Sequence, residues 1–469
     1  MRGAYPAASL LGAALLLVGG LALAQQADPI QDRTADDSGE DSGEDSGADE
    51  DTGEDSGEHT DEHSRPPHGD GARGDTGDTG EPGDECTAGL WVGDLIFSTQ
   101  SALEDWSLGY DQVRGNLRVV GIEGLQDLTD LRCLRTVEGT LEIDKMPDLK
   151  AAGMERLERV GALRVVGNRD LVSVELPLVE VRGHVDVEGN PALTRLGLDE
   201  LEEASGLQVS GNRALTSLDL GLRSLPEGLV VTDNASLGRL GMPELIELGN
   251  LAVQDNASLV TLGGLEHVSR LDSLVLTGNR ALTSLEGLEG LVLVEGPVLL
   301  RGLPLKDLQG LRRLTRVEGD VLLAELDVSS LAGLESLSQV DGVLTIEDNA
   351  SLSTLKGLGA LRLAELALRR DPSLANLDGE LLVAGSITLE ALRGLENLAG
   401  LEELVRVDSL TLRACPRLKA LTGLEGLIDL QELTLEELPE LSDTSALSGL
   451  RAAPKVHGDK QIWRAQKKR

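Results

Sequence analysis

Outside its carboxylates, this chain has few residues that could do chemistry. Its 469 residues include six His, three Cys and 81 acidic residues, for a formal net charge of −39. A hydrolase needs a nucleophile, a base and an orienting group held together, and a metal enzyme needs ligands at fixed spacing. Neither pattern is present. His184 and His267 stand alone in or near turns, and His59, His63 and His68 lie in a low-complexity tract that holds them in no common geometry. The charged residues of the strand face, Asp144, Glu188, Arg301, Glu347, Arg369 and Arg413, are scattered along the sequence. The expectation is a protein that is not an enzyme, with no cofactor, no metal centre and no nucleic-acid partner.

The polar group that does recur at a fixed interval is an amide. Asn168, Asn190, Asn212, Asn234, Asn256, Asn279 and Asn349 each fall five residues after the first inward residue of a short apolar-alternating segment. A side-chain amide both donates and accepts. Piled one above another, such amides bond to each other and to turn backbone that would otherwise be unsatisfied. The expectation is a structural asparagine ladder. Asn234, Asn256 and Asn349 also match the glycosylation sequon, but as ladder members they should point inward and carry no glycan.

The elements that position the ladder follow from the same spacing. Starts of the apolar segments run from Leu95 to Leu433, making sixteen coils of 21 to 24 residues. Two positions after each start the residue is again apolar, as in Leu207/Val209 and Leu229/Val231. This is the period-2 signature of a half-buried strand. One such unit cannot bury its apolar face, but a stack of them can. Only six aromatic residues serve the whole chain, so aliphatic side chains must fill the narrow interior. The predicted fold is mainly β, a parallel β-solenoid of about 16 coils that spans roughly 75 Å at the usual strand spacing. Corners reading Val-Glu-Gly or Val-Asp-Gly, such as Val137-Glu138-Gly139 and Val340-Asp341-Gly342, suggest glycines at positive φ. Trp91, Phe97, Trp106 and Tyr110 gather at the start, as expected of an N-terminal cap core.

The run L-x-V-x-G-N-x-x-L-x-x-L, as in Leu207 to Leu218, resembles the receptor L-domain repeat, and Leu282 to Leu288 is similar to the convex side of internalin-type leucine-rich repeats. The resemblance covers about residues 90–445. It implies a right-handed solenoid and extracellular recognition, or a wall-associated structural role. No Cys-rich module or kinase accompanies the repeats, so receptor signalling does not carry over.

Outward strand positions lie one and three residues after each start. Most are polar, but Val275, Leu299 and Leu322 come from three successive coils, with Val230 two coils further back and Arg301 at the border. The ladder lapses in the same region, where Leu303 and Leu326 replace Asn. These residues are expected either to form an exposed apolar stripe, the candidate interface for a protein or glycan partner at the cell envelope, or to be covered by a neighbouring loop or stand as tolerated surface. The alternative is a spacer with no specific ligand. Thr388, Thr411 and Thr434 align on three coils, too narrow an array for ice binding.

The flanks complete the organisation. Residues 1–24 read as a secretory signal ending in Ala22-Leu23-Ala24, so the mature chain is expected to be secreted or surface-exposed with no transmembrane segment. Residues 25–85 are low complexity, with 22 acidic and three basic residues between Asp28 and Glu85. Such a tract is expected to stay disordered and to associate only diffusely with cations. Cys86 and Cys133 are expected to form a disulfide near the start of the solenoid, taken as 86–450, while Cys415 stays a buried free thiol. Residues 451–469 read as a basic tail ending in Lys467, Lys468 and Arg469.

Overall fold

The structure, a computed structural model, describes residues 86–459 apart from 107, 108 and 380. The expected signal and acidic tract, and the tip of the basic tail, lie outside the described residues. The described chain is a parallel β-solenoid. Of its strands, 24 belong to one sheet, with a separate three-stranded and a two-stranded sheet beside it. Successive starts pair in register: Val185 with Leu207, Leu207 with Leu229, Leu229 with Leu251, and Leu251 with Leu274. The constant sequence interval thus becomes a constant vertical step.

Each coil contributes up to three sides. The first holds the start residue and its partner two positions on. A second, just before the start, carries Val113, Val137, Val160 and Val181 in one file. A third strip is built from Ala151–Gly153, Ser173–Glu175 and Arg195–Gly197. Leucines from all sides meet in one contiguous aliphatic core, which also contains Leu171, Leu193, Leu215 and Leu237, all fully buried. Two long strands, Thr136–Asp144 and Gln339–Glu347, bend through a corner and belong to both of the first two sides. Their pairing shifts register at the corner, between Val137 and Thr140 and between Val340 and Val343.

Two expectations need correction. First, there is a seventeenth rung. Lys455–Gly458 pairs with the preceding strand, Val456 opposite Leu433. The solenoid therefore runs past residue 450 into the segment taken as the basic tail. The interval from Leu433 to Val456 fits the repeat, but Gly458 stands where every other coil has an apolar side chain, so the pattern is broken there. Second, Gly139, Gly319 and Gly342 are not at positive φ. They are glycine because adjacent coils touch: a Cβ on Gly342 would lie 2.2 Å from Asp320 Oδ1, and one on Gly139 2.4 Å from Asn116 Oδ1.

The left-handed residue sits elsewhere, four positions after the start. It is Gly167, Gly189, Gly211, Gly278 or Gly302 in some coils, with φ of 62–69°. Elsewhere it is Lys145, Asp233, Asp255, Glu325, Asp348, Arg370, Ala391, Ala414 or Glu437, with φ of 49–58°. This corner turns the chain from the first side toward the ladder. L-residues there cost roughly 1–2 kcal/mol in crowding of Cβ, and alanine has no side chain to compensate. Ala414→Gly is therefore expected to stabilise the protein by about 0.5–1 kcal/mol, the strain relief exceeding the added chain entropy. A urea midpoint unchanged or lowered in that variant would contradict the assignment.

Candidate recognition surface

The ladder forms as the spacing implied, and its members are inside the fold. All seven Asn are fully buried, which leaves the three sequon residues turned away from solvent. From Asn168 to Asn256, each backbone N–H donates to the Oδ1 of the next Asn at 2.9–3.1 Å. Each Nδ2 also donates to the carbonyl of the inward strand residue one coil back. The acceptors are Ile143, Val165, Val187, Val209, Val231, Val253 and, for Asn349, Leu323, at 2.8–3.1 Å. Leu303 and Leu326 interrupt the ladder and are buried. Cys415 enters the same slot as a free thiol, with Sγ 3.8 Å from the Leu389 carbonyl. Burial in apolar surroundings pushes that thiol up from its ordinary pKa. Sequence reading missed one ladder member: Asp371, five residues after Leu366, accepts the Asn349 backbone N–H at 2.8 Å. The spacing marks it, since Asp371 stands at the same offset from Leu366 as each Asn from its own start.

Cys86 and Cys133 are bonded, with Cα atoms 5.4 Å apart. Beside them the rings make the expected cap core. Trp106 stacks on Tyr110 at 5.5 Å, Trp91 meets Tyr110 edge-on, and Phe97 lies 5.6 Å from Trp106.

The outer face of the first side is a continuous row of residues one position after each start, in register over all the coils. Its first part is charged. Arg118 pairs with Glu142 at 3.2 Å and with buried Asp144 at 2.5 Å, and Arg164 lies 3.8 Å from buried Asp186. Glu188, beside Gln208, has its carboxyl pushed up by burial and by Asp186. The middle part is Val230, Ala252, Val275, Leu299 and Leu322, paired rung to rung. The last part is Thr388, Thr411 and Thr434. Two positions further along those last rungs run Glu390, Arg413 and Glu436, with Arg369 in the same file on the rung before them. Arg413 pairs with Glu436 at 2.6 Å, and Glu390 lies 3.6 and 3.8 Å from Arg369 and Arg413. Such exposed pairs contribute about 0–1 kcal/mol each; their effect is to align side chains along the stack.

The apolar file corrects the first of its two readings. As an exposed stripe Val230, Val275, Leu299 and Leu322 would be open to solvent, yet each is at most 2% exposed. They still point outward: Val298, Leu300, Val321 and Leu323 on either side belong to the contiguous core, and Leu299 and Leu322 do not. Alternation shows which way a side chain points and not whether anything closes over it. A file of aliphatic side chains in register shields its own flanks, and closure over the remainder is favoured by about 25 cal/mol per Å² buried. Arg301 borders the file as expected, about one-third exposed and paired with Glu325 at 2.6 Å.

A recess of about 540 Å³ lies on the neighbouring side between Val340, Leu363, Val383 and Leu404, rimmed by Arg362 and Glu403. Among the described residues no group of acidic, His and Cys side chains is arranged to hold a metal ion, and no helix is long and apolar enough to cross a membrane.

Compared with models of known protein families, with curated proteins and with solved structures, the chain matches none.

Proposed function

We propose that the protein is a recognition protein of receptor-L-domain type, whose outer strand face binds a protein partner at the cell envelope. The observation that carries this is the apolar file. The interior does not need Val230, Ala252, Val275, Leu299 and Leu322, because the core is contiguous without them. Five successive rungs nevertheless place valine, alanine or leucine on a face that is charged before them and threonine-bearing after them. An apolar lane with polar borders suits a protein segment better than a sugar, since none of its side chains is aromatic. The side chains of the lane are buried in the chain as it stands.

An extracytoplasmic location is part of this reading. Its support is the leader-like composition of residues 1–24 and the Cys86–Cys133 bond, which persists in oxidising compartments. A spacer without a specific ligand is the second reading. It is favoured by the mutual pairing of Arg369, Glu390, Arg413 and Glu436, which leaves those groups engaged with each other.

Crosslinking with mass spectrometry on cells separates the two. Recognition predicts partner crosslinks concentrated on the coils between Val230 and Leu322. It also predicts at least a tenfold loss of those crosslinks in Leu299→Asp plus Leu322→Asp, with far-UV circular dichroism unchanged. Crosslinks spread evenly over the solenoid and unaffected by the double substitution would favour the spacer.

A further inference from the structure

The strongest unexplained group is Asp371. It is fully buried, and it is the ladder residue of its coil. Its Oδ1 does what an Asn Oδ1 does, accepting the Asn349 backbone N–H at 2.8 Å and Nδ2–H at 3.2 Å. Its Oδ2 is buried and has no hydrogen-bond partner. In seven Asn rungs the second side-chain atom is an N–H donor, and it reaches the carbonyl two residues after the start of the preceding coil. Cys415 directs its Sγ to the same carbonyl in its own neighbour. For Asp371 that register position is Ile346. An ionised carboxylate therefore presents an acceptor to an acceptor, whereas a protonated one has the single O–H that the slot requires.

We infer that Asp371 is a proton-operated rung: protonated, it donates from Oδ2 to the Ile346 carbonyl and continues the ladder, and ionised, it breaks the ladder between its coil and the one before. The charged neighbours fit this. On the preceding coil Glu347 and Asp348 are both acidic. On its own coil the Arg370 guanidinium is taken by Asp348 at 2.7 Å and Glu347 at 3.0 Å, and Arg369 lies between Glu347 and Glu390. The following coil puts Leu392 at the ladder position and Glu390 on the outer face. Burial, with Asp348 and Glu347 adding to it, raises the Asp371 carboxyl to about 7, against the pull of the two Asn349 bonds.

The sign follows from linkage. The folded pKa lies above the unfolded one, so the folded chain binds the extra proton. The stabilisation is complete below the unfolded value and is lost as pH rises through about 7. The consequence is local, because in a stacked repeat each coil contacts only its neighbours. Acidification from pH 8 to 5.5 tightens the joint between the coils that start at Leu344 and Leu366.

The test is hydrogen exchange of the Asn349 amide, followed from pH 5.5 to 8.5 after correction for intrinsic rates. Protection in the native chain is expected to fall by up to about tenfold per pH unit as pH rises toward 7 and to level off above it. In Asp371→Asn, which supplies the missing N–H permanently, protection is expected to stay flat at the low-pH level. The same pH profile in Asp371→Asn as in the native chain would overturn the proposal. A direct titration of the Asp371 carboxyl by NMR, which needs no variant, would overturn it equally if the midpoint fell near 4.

Discussion

Replacing Asn212 by Ala is expected to destabilise the solenoid by about 3–5 kcal/mol. The side chain accepts the Asn190 N–H at 3.1 Å and its Nδ2–H at 3.1 Å, and donates to the carbonyls of Val187 at 2.8 Å and Ser210 at 3.1 Å. Deletion removes these bonds at once. It leaves the Asn190 N–H and the Val187 carbonyl buried with no water to replace the amide. Each abandoned group costs about 1–3 kcal/mol, more than the bond itself contributed. The loss should appear as a lowered urea midpoint, with exchange fastest at the amides of Asn190 and Asn212. Asn212→Asp makes the distinguishing control. It keeps the acceptor but not the donor, so its deficit should grow as pH rises and shrink on acidification. A loss below about 1 kcal/mol in Asn212→Ala would mean that the ladder satisfies nothing essential.

That prediction rests on features that were legible in the residues, and it is instructive where legibility stopped. The rungs could be read because a strand two residues deep must repeat its aliphatic pair to fill a narrow interior. The Asn positions could be read because backbone at a corner demands a partner with both polarities. The corner glycines could not be assigned correctly from type alone. Gly139 and Gly342 are dictated by carbonyl and side-chain atoms one coil away, which no local pattern reports. The true left-handed corner was hidden because Lys145, Ala391, Ala414 and Glu437 occupy it in coils that carry no glycine there. Asp371 was hidden because a carboxylate looks like surface chemistry until its depth is known. The direction of Leu299 and Leu322 was legible, but their closure was not, because closure depends on what lies over a face and leaves no mark on the period of that face.

Removing the Cys86–Cys133 bond by double substitution to Ser is expected to cost about 4 kcal/mol, the chain-entropy value for a loop of this length, and to do so at one end only. The two sulfurs close 47 residues of chain, including the first coil and most of the second. The first coil needs the restraint because it lies at an end of the described stack. The strand Leu90–Val92 pairs on one side only, with Gln112–Arg114, and Leu90, Val92 and Ile96 are exposed. It is paired to one coil where an interior coil is paired to two, and its ring cluster is the only aromatic packing among the described residues. Because stability in a stacked repeat is a sum of nearest-neighbour terms, the damage should not spread. Tryptophan emission in a Trp463→Phe background, where it reports on Trp91 and Trp106, should shift red at a urea concentration well below the far-UV circular dichroism transition of the remaining coils. In the native chain the two probes should move closer together. Coincident probes in the variant, with the whole transition lowered, would instead mean that the end cap and the column unfold as one unit. In that case the first rung would be a nucleus rather than a stapled edge.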